Sequence, residues 1–329
     1  MIRQHRALAR WHRRVVLGAG FAAAVCLASG GVANANYPER PIRIICGSGA
    51  GGIVDITARI VAERMSEALG QPVVVENMST ASSTVAIKTV SRSDPDGYTL
   101  LFTGAGISVV PVLYPALNID VINDLTPISV VGDTPLVLFV HKSIPATNYQ
   151  SLIAYLKGHP DKVNSGSNGR GTGSYLAMEF FKRFAGVEVV NVNYRSTPQV
   201  LTDLLTGRLG MTFTASGGGI VNRSEVWPVG ITAISRSKAF AGVPTFKELG
   251  VDGFESGTPT MLFAPKGTPK NIVNALVKAV ETSLADPAVV ARLDGAGVVM
   301  PEATGSDFAE KFLRGEVVKW GNVLRDAKE

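Results

Sequence analysis

The stretch PIRIICGSGAGGIVDITARIVAERMSEALGQPVVVEN, residues 41–77, decides the fold. It opens on a short β-branched run, Pro41 to Cys46, which the cluster Gly47-Ser48-Gly49-Ala50-Gly51-Gly52 ends. From about Val54 to Leu69 the apolar residues Ile56, Ile60, Met65 and Leu69 recur at helical intervals, with Gly70 as a stop. Pro72-Val73-Val74-Val75 then reads as a buried strand running into Glu76-Asn77. Strand, glycine loop, helix and strand make a βαβ unit, which predicts parallel neighbours in one sheet. The same order returns at 162–184, where Lys162 to Ser167 leads through a glycine-rich loop, Gly166 to Gly173, into a helix from about Ser174 to Phe184.

Outward from these two units the alternation continues. A weaker helix spans about 82–92, and the turn Asp94-Pro95-Asp96-Gly97 starts a strand over 98–103. Further strands are predicted at 135–140, 187–194, 209–214, 229–234 and 260–264, and helices at 148–157 and 198–207. Two long amphipathic helices close the chain, 269–284 and about 306–326. The pattern predicts an α/β protein of two lobes, each a mostly parallel sheet flanked by helices, and each offering one glycine loop to a shared cleft. In open α/β sheets ligands bind beyond the carboxyl ends of the strands, where such loops lie.

The first 35 residues read differently. Arg3, Arg6, Arg10, Arg13 and Arg14 form a basic start without an acid, an apolar alanine-rich stretch follows from Val15 to Ala28, and Ala33-Asn34-Ala35 offers a small-x-small cleavage pattern. The apolar stretch is shorter than the roughly 20 residues a membrane-spanning helix needs. The expectation is a cleaved signal peptide and a periplasmic protein, with export by the general route favoured over the twin-arginine route that Arg13-Arg14 suggests. The whole chain carries 32 basic and 27 acidic residues, a net charge of +5. Loss of the five arginines leaves 27 against 27, so the basic character belongs to the signal and gives no footprint for nucleic acid or an anionic membrane. Past residue 35 only Cys46, His141 and His159 remain of their types. No intrachain disulfide and no metal site is therefore expected.

Gly47 to Gly52 matches G-x-G-x-x-G between a strand and a helix, with Glu76 after the next strand, as a dinucleotide site would require. The underlying physics is more general. A helix N-terminus presents unpaired N–H groups and partial positive charge, so a carboxylate suits it as well as a pyrophosphate. No nucleophile–base pair, G-x-S-x-G or H-E-x-x-H accompanies the loop, so the expectation is a binding protein without a cofactor and not an enzyme. The alternative is an exported nucleotide-dependent enzyme that uses the same loop.

The order and spacing of further motifs carry a resemblance. YPERPIRIIC from Tyr37, GG-x-x-D-x-x-AR at Gly51 to Arg59, LGQPVVVEN at 69–77, DPDGYTLLFT at 94–103 and NYRS at 193–196 belong to it. So do LTDLLTGRLGMTF at 201–213, VPTFKELG at 243–250, LFAPKGTP at 262–269 and E-x-x-x-W at Glu316 to Trp320. Together they resemble the tripartite tricarboxylate transporter substrate-binding proteins, the Bug or TctC-like periplasmic receptors, over essentially the whole chain past the signal.

The resemblance implies a type II-like periplasmic binding fold, with one lobe over 36–136 and 261–329 and the other over 137–260. It implies a monomeric receptor that captures a small organic acid, such as a di- or tricarboxylate, an acidic amino acid or an aromatic acid. That receptor would present it to transporter membrane subunits of the TctA/TctB type, or to a sensor protein. By position, Ser48, Gly49, Ala50, Gly51, Gly52 and Asp55 would face one side of the cleft, and Gly169, Gly171, Thr172 and Gly173 the other. Thr103 and Gly104 are further candidates, and Tyr175 and Tyr194 are the aromatics expected to reach the ligand. Arg170 is a candidate for pairing bidentately with a second carboxylate, the alternative being a rim arginine in solvent. Four departures stand out, the first being that Cys46-Gly47-Ser48-Gly49-Ala50 lacks the proline the family usually carries in its first loop. Met78-Ser79-Thr80-Ala81-Ser82-Ser83 replaces a glycine-rich stretch, Thr172-Gly173-Ser174-Tyr175 replaces Thr-Ser-x-His, and Thr214 stands where the family carries an acid.

Overall fold

The computed structural model describes residues 37–324 apart from 80, 216–218, 234–235, 238–239, 252 and 255; the expected signal peptide, 1–35, lies outside the described residues. Residues Pro38–Glu329 form one unit, built on two five-stranded sheets. The first holds β1 (Ile42–Cys46), β2 (Val73–Asn77), β3 (Thr99–Thr103), β4 (Leu125–Gly132) and β10 (Thr260–Pro265) in the order β2-β1-β3-β10-β4. The second holds β5 (Val137–His141), β6 (Asn164–Ser167), β7 (Val190–Asn193), β8 (Met211–Thr214) and β9 (Val226–Ile231) in the order β7-β6-β8-β5-β9.

Both sheets are mixed. The parallel pairing that the βαβ pattern predicts holds for β2-β1-β3 and for β7-β6-β8. The remaining pairings, through β10 and β5, are antiparallel. The cause is topological. Each of these strands enters its sheet directly from the other one, without a covering helix that would force a parallel crossover. Two helices, Gly106–Leu113 and Pro287–Gly295, fall outside the expected pattern, as does one strand, β4, whose run carries Pro127. It lies at the end of its sheet order, the place where a strand proline is tolerated.

The helices are α1 (Ile53–Leu69), α2 (Thr84–Ser91), α3 (Gly106–Leu113), α4 (Tyr149–Gly158), α5 (Gly173–Ala185), α6 (Thr197–Leu205), α7 (Lys270–Leu284), α8 (Pro287–Gly295) and α9 (Ser306–Leu324). In α1 the buried positions Val54, Ala58, Val61, Ala62 and Met65 form the stripe turned to the sheet, and the left-handed Gly70 stops the helix. The core of the second sheet is aromatic: Phe246 and Phe254 meet edge to face at 4.6 Å, with Phe181 and Phe213 around them. A further cluster ties the halves. Ala105 and Val109 at α3, Leu176 on α5, and Trp320 and Leu324 on α9 pack together, and Phe180 of α5 meets the Trp320 ring edge-on at 6.2 Å.

Two short extended segments carry the chain between the sheets, 133–136 outward and 256–259 on the return. They run side by side, and Thr134 and Thr258 exchange backbone hydrogen bonds of 3.3 and 2.9 Å. Gly257 sits where a Cβ would collide with the Asp133 carboxylate, so this crossing admits no side chain at that point. No helix among the described residues is long and apolar enough to cross a membrane.

Candidate functional site

Strand order places the site. From β1 the chain moves to β2 on one side and then returns to β3 on the other, so a crevice opens between β1 and β3 at their carboxyl ends. The second sheet repeats this at β6, between β7 and β8. The loops after these strands line one cavity of about 330 Å³ between the sheets, a volume suited to a small molecule.

The first loop is held from behind. Asp55, buried in the first turn of α1, accepts from the Gly51 N–H at 2.9 Å, Arg59 Nε at 3.0 Å and Asn77 Nδ2 at 2.7 Å. Asn77 Nδ2 also reaches the Ser48 carbonyl at 3.0 Å. Burial works to raise the Asp55 carboxyl, but these hydrogen bonds and the Arg59 charge outweigh it and hold the group below its ordinary value. Asp55 therefore braces the loop and does not line the cavity, and Gly51, at φ +76°, belongs to the same brace. Ser48, Gly49, Ala50 and Gly52 do line it. Glu76, the acid a dinucleotide would need, forms a bidentate pair with Arg43 on the exposed surface, 2.9 and 2.8 Å.

Below the loop, Thr103 is buried and donates to Ser83 Oγ at 2.9 Å, and Ser83 donates to the Gly47 carbonyl at 2.9 Å. Thr103 thus supports the floor, and its neighbour Gly104 faces the cavity. Cys46, at the end of β1, is fully buried; burial pushes its thiol up to about 11, against the pull of a backbone hydrogen bond from Ser48.

In the second loop Gly171, Thr172 and Gly173 line the cavity, whereas Gly169 and Arg170 do not. Thr172 Oγ1 donates to the Gly169 carbonyl at 2.7 Å, which closes the turn. The Arg170 carbonyl accepts from Ser82 Oγ at 2.9 Å and from the Tyr114 hydroxyl at 3.4 Å, a direct bridge from one half of the molecule to the other. Its exposed side chain engages the Tyr175 hydroxyl. Tyr175 packs beside the Trp320 cluster, and Tyr194 donates to Asp203 Oδ2 at 2.8 Å while packing on the second core. Neither tyrosine, both expected to reach a ligand, is among the residues that line the cavity. Thr214 does line it, so this position has a hydroxyl where the family pattern has an acid.

Sequence reasoning missed several lining residues. Ser79, Ser82 and Ser83 come from the segment that replaces the glycine-rich stretch, and Arg195, Ser196 and Thr197 from the turn after β7. A signal for the latter exists, because β7 stands to β6 as β2 stands to β1.

The cavity surface is defined by helix starts. Gly52, Ser83, Ala105, Thr172 and Ser196, which precede α1, α2, α3, α5 and α6, all line it, and none caps its helix with a side-chain hydrogen bond. The two helices with side-chain caps, α4 with Asn148 and α8 with Asp286, begin elsewhere. No Asp or Glu is among the described residues that line the cavity. Helix starts with positive partial charge and no acid among the described lining residues favour an anion, the Asp55 carboxylate behind the first loop being paired with Arg59. Among the described residues no His, Cys, Asp and Glu cluster of the kind that holds a metal occurs.

Comparison with known proteins agrees with this geometry. Residues 57–328 match the profile described as "Tripartite tricarboxylate transporter family receptor". A UPF0065 protein of Bordetella pertussis is 34% identical over 88% of this chain and 90% of its own. Among solved structures, the periplasmic binding protein BugD is 31% identical with a TM-score of 0.81, over 88% of this chain and 98% of that one. MatC from Rhodopseudomonas palustris, solved with bound malate, is 28% identical with a TM-score of 0.81, over 88% of this chain and 100% of that one.

Proposed function

The chain belongs to the tripartite tricarboxylate transporter receptor family, and on that premise we propose that it captures a small carboxylate in the cavity between its two sheets. In this reading 36–136 with 261–329 and 137–260 are the two lobes that close on the ligand. The observation that carries the reading is the convergence of five helix starts without side-chain caps on a cavity lined by no acid. One carboxylate takes N–H donors from the first loop and the start of α1, and the Ser48 hydroxyl completes its shell. The bound state of MatC, with malate, is of the same chemical class. The loaded receptor then hands its ligand to the membrane subunits of a tripartite-type transporter.

Calorimetry on the protein without residues 1–35 tests this against malate, succinate, adipate and benzoate, each beside its amide. At least one acid is expected to bind with a micromolar dissociation constant. Its amide should bind at least about tenfold more weakly, because the uncapped N–H groups then lose a charged acceptor worth roughly 1.5–3 kcal/mol. Folded protein that binds no acid, or that binds acid and amide alike, overturns the reading.

A further inference from the structure

Among the described residues that line the cavity one is charged, Arg195. It stands in the turn between β7 and α6, just before Ser196, the residue that precedes α6. The guanidinium has no hydrogen-bond or ion-pair partner among the described residues. Among the described residues no acid lines the cavity, and the wall position that the family pattern fills with an acid is Thr214. Arg195 therefore adds a full positive charge to a wall that already carries the partial positive charge of helix starts.

Such a charge is tolerated while water reaches it, and Arg195 is exposed. A ligand in the cavity displaces part of that water, and a guanidinium that loses water without gaining a partner is unfavourable. A carboxylate presented to its planar fork relieves this with two parallel charge-assisted hydrogen bonds. The first glycine loop belongs to the other sheet and offers only backbone N–H groups and the Ser48 hydroxyl. The two walls thus provide two separate anion-binding poles of different chemistry. Arg170 is exposed and is not among the residues that line the cavity, so Arg195 is the better placed of the two.

We propose that Arg195 is the specificity-determining residue of this receptor: it takes the second carboxylate of a ligand whose first is held by the opposite wall, and so selects ligands with two anionic groups over matched acids with one. The proposal rests on the carboxylate reading above, and its test separates the two. Calorimetry compares linear dicarboxylates from succinate to adipate with their monoamides, on wild type and on Arg195→Gln and Arg195→Lys. Wild type is expected to prefer at least one dicarboxylate over its monoamide. Arg195→Gln should weaken that dicarboxylate by roughly 10- to 50-fold, the range of a lost charged hydrogen-bonding partner, and leave the monoamide within about threefold. Arg195→Lys should recover part of the loss by restoring charge without the fork. An unchanged dicarboxylate-to-monoamide ratio in Arg195→Gln overturns the role of Arg195 and leaves the carboxylate reading standing. Absence of any binding to wild type overturns both.

Discussion

Replacing Gly171 with alanine is expected to weaken ligand binding by about 100-fold while the protein still folds. Gly171 sits at φ +84°, and a Cβ there would fall on the Ser82 hydroxyl, with Ser82 Cβ and Val109 Cγ2 each at 3.1 Å. Ser82 and Val109 belong to the half built on the first sheet, and Gly171 to the other. The collision therefore exists only when the halves are together, and opening the cleft removes it. A factor of 100 corresponds to about 2.7 kcal/mol, within the roughly 1–3 kcal/mol that overpacking a close contact costs. The left-handed backbone adds about 1–2 kcal/mol of strain, but it does so in open and closed forms alike and lowers the melting temperature without changing affinity. Adding Ser82→Gly supplies the control. Ser82 itself holds φ +51°, which glycine adopts freely, and removal of its side chain clears the hydroxyl and Cβ that the new methyl meets, leaving Val109 Cγ2 at 3.1 Å. Calorimetry should show the double variant recovering most of the lost affinity, and solution scattering should show Gly171→Ala remaining extended when ligand is added. A double variant no better than the single one would disprove the steric account.

Asp133→Asn is expected to stabilise the protein at neutral pH and to have no such effect in acid. Asp133 begins the outward crossing between the sheets, and although the residue is partly exposed, its Oδ1 is enclosed and has no hydrogen-bond partner. Burial raises its carboxyl from an ordinary 3.8 to about 6, Glu316 on α9 adds to the rise, and Lys319 and the Thr134 N–H oppose it. With the folded value above the unfolded one, the native state keeps a proton that the unfolded chain releases. The stability this gives is complete below about pH 4 and is lost as pH rises through about 6. A rise of that size corresponds to about 3 kcal/mol above pH 6. The amide keeps a polar atom in the same enclosure, so the gain on substitution should be roughly 1–2 kcal/mol at pH 7.5. Urea unfolding of both proteins at pH 4 and 7.5 measures the difference, and a difference independent of pH would rule out this role for the Asp133 charge.

The parts of this architecture that a local pattern encodes could be read from the sequence. The units β1-α1-β2 and β6-α5-β7 were legible because a β-branched run, a glycine cluster and a helical apolar stripe follow one another within a few dozen residues. The loops of Ser48 to Gly52 and Gly171 to Gly173 were legible for the same reason, since each is fixed by the strand before it and the helix after it. The antiparallel entry of β5 and β10 was not, because it depends on where the chain crosses between sheets. The strand β4 was hidden by Pro127, which a sheet end accepts and a central strand would not.

The choice among polar residues was the least legible step. Arg170, flanked by two glycines, offered either a second anion partner or a rim arginine in solvent; its carbonyl is committed across the cleft, and the residue is exposed and not among those that line the cavity. Arg195 acquires its place from the repeated topology of the two sheets, which no motif spells out. Asp55, Asn77 and Arg59, the more recognisable polar residues of the first motif, turn out to hold the loop from behind. A motif of this kind records what shapes a binding loop as much as what touches the ligand.

Cys46 has a practical consequence. Past residue 35 it is the chain's single cysteine, enclosed at the end of β1, with a thiol that stays protonated at neutral pH because its ionisation is pushed up to about 11. Thiolate, the form that attacks maleimides and nitroxide reagents, is therefore nearly absent in the native protein. New cysteines on the surface of the two halves can carry a fluorophore pair or spin labels with the wild-type background left in place. The distance between those labels then reads cleft opening in real time on an otherwise unaltered molecule.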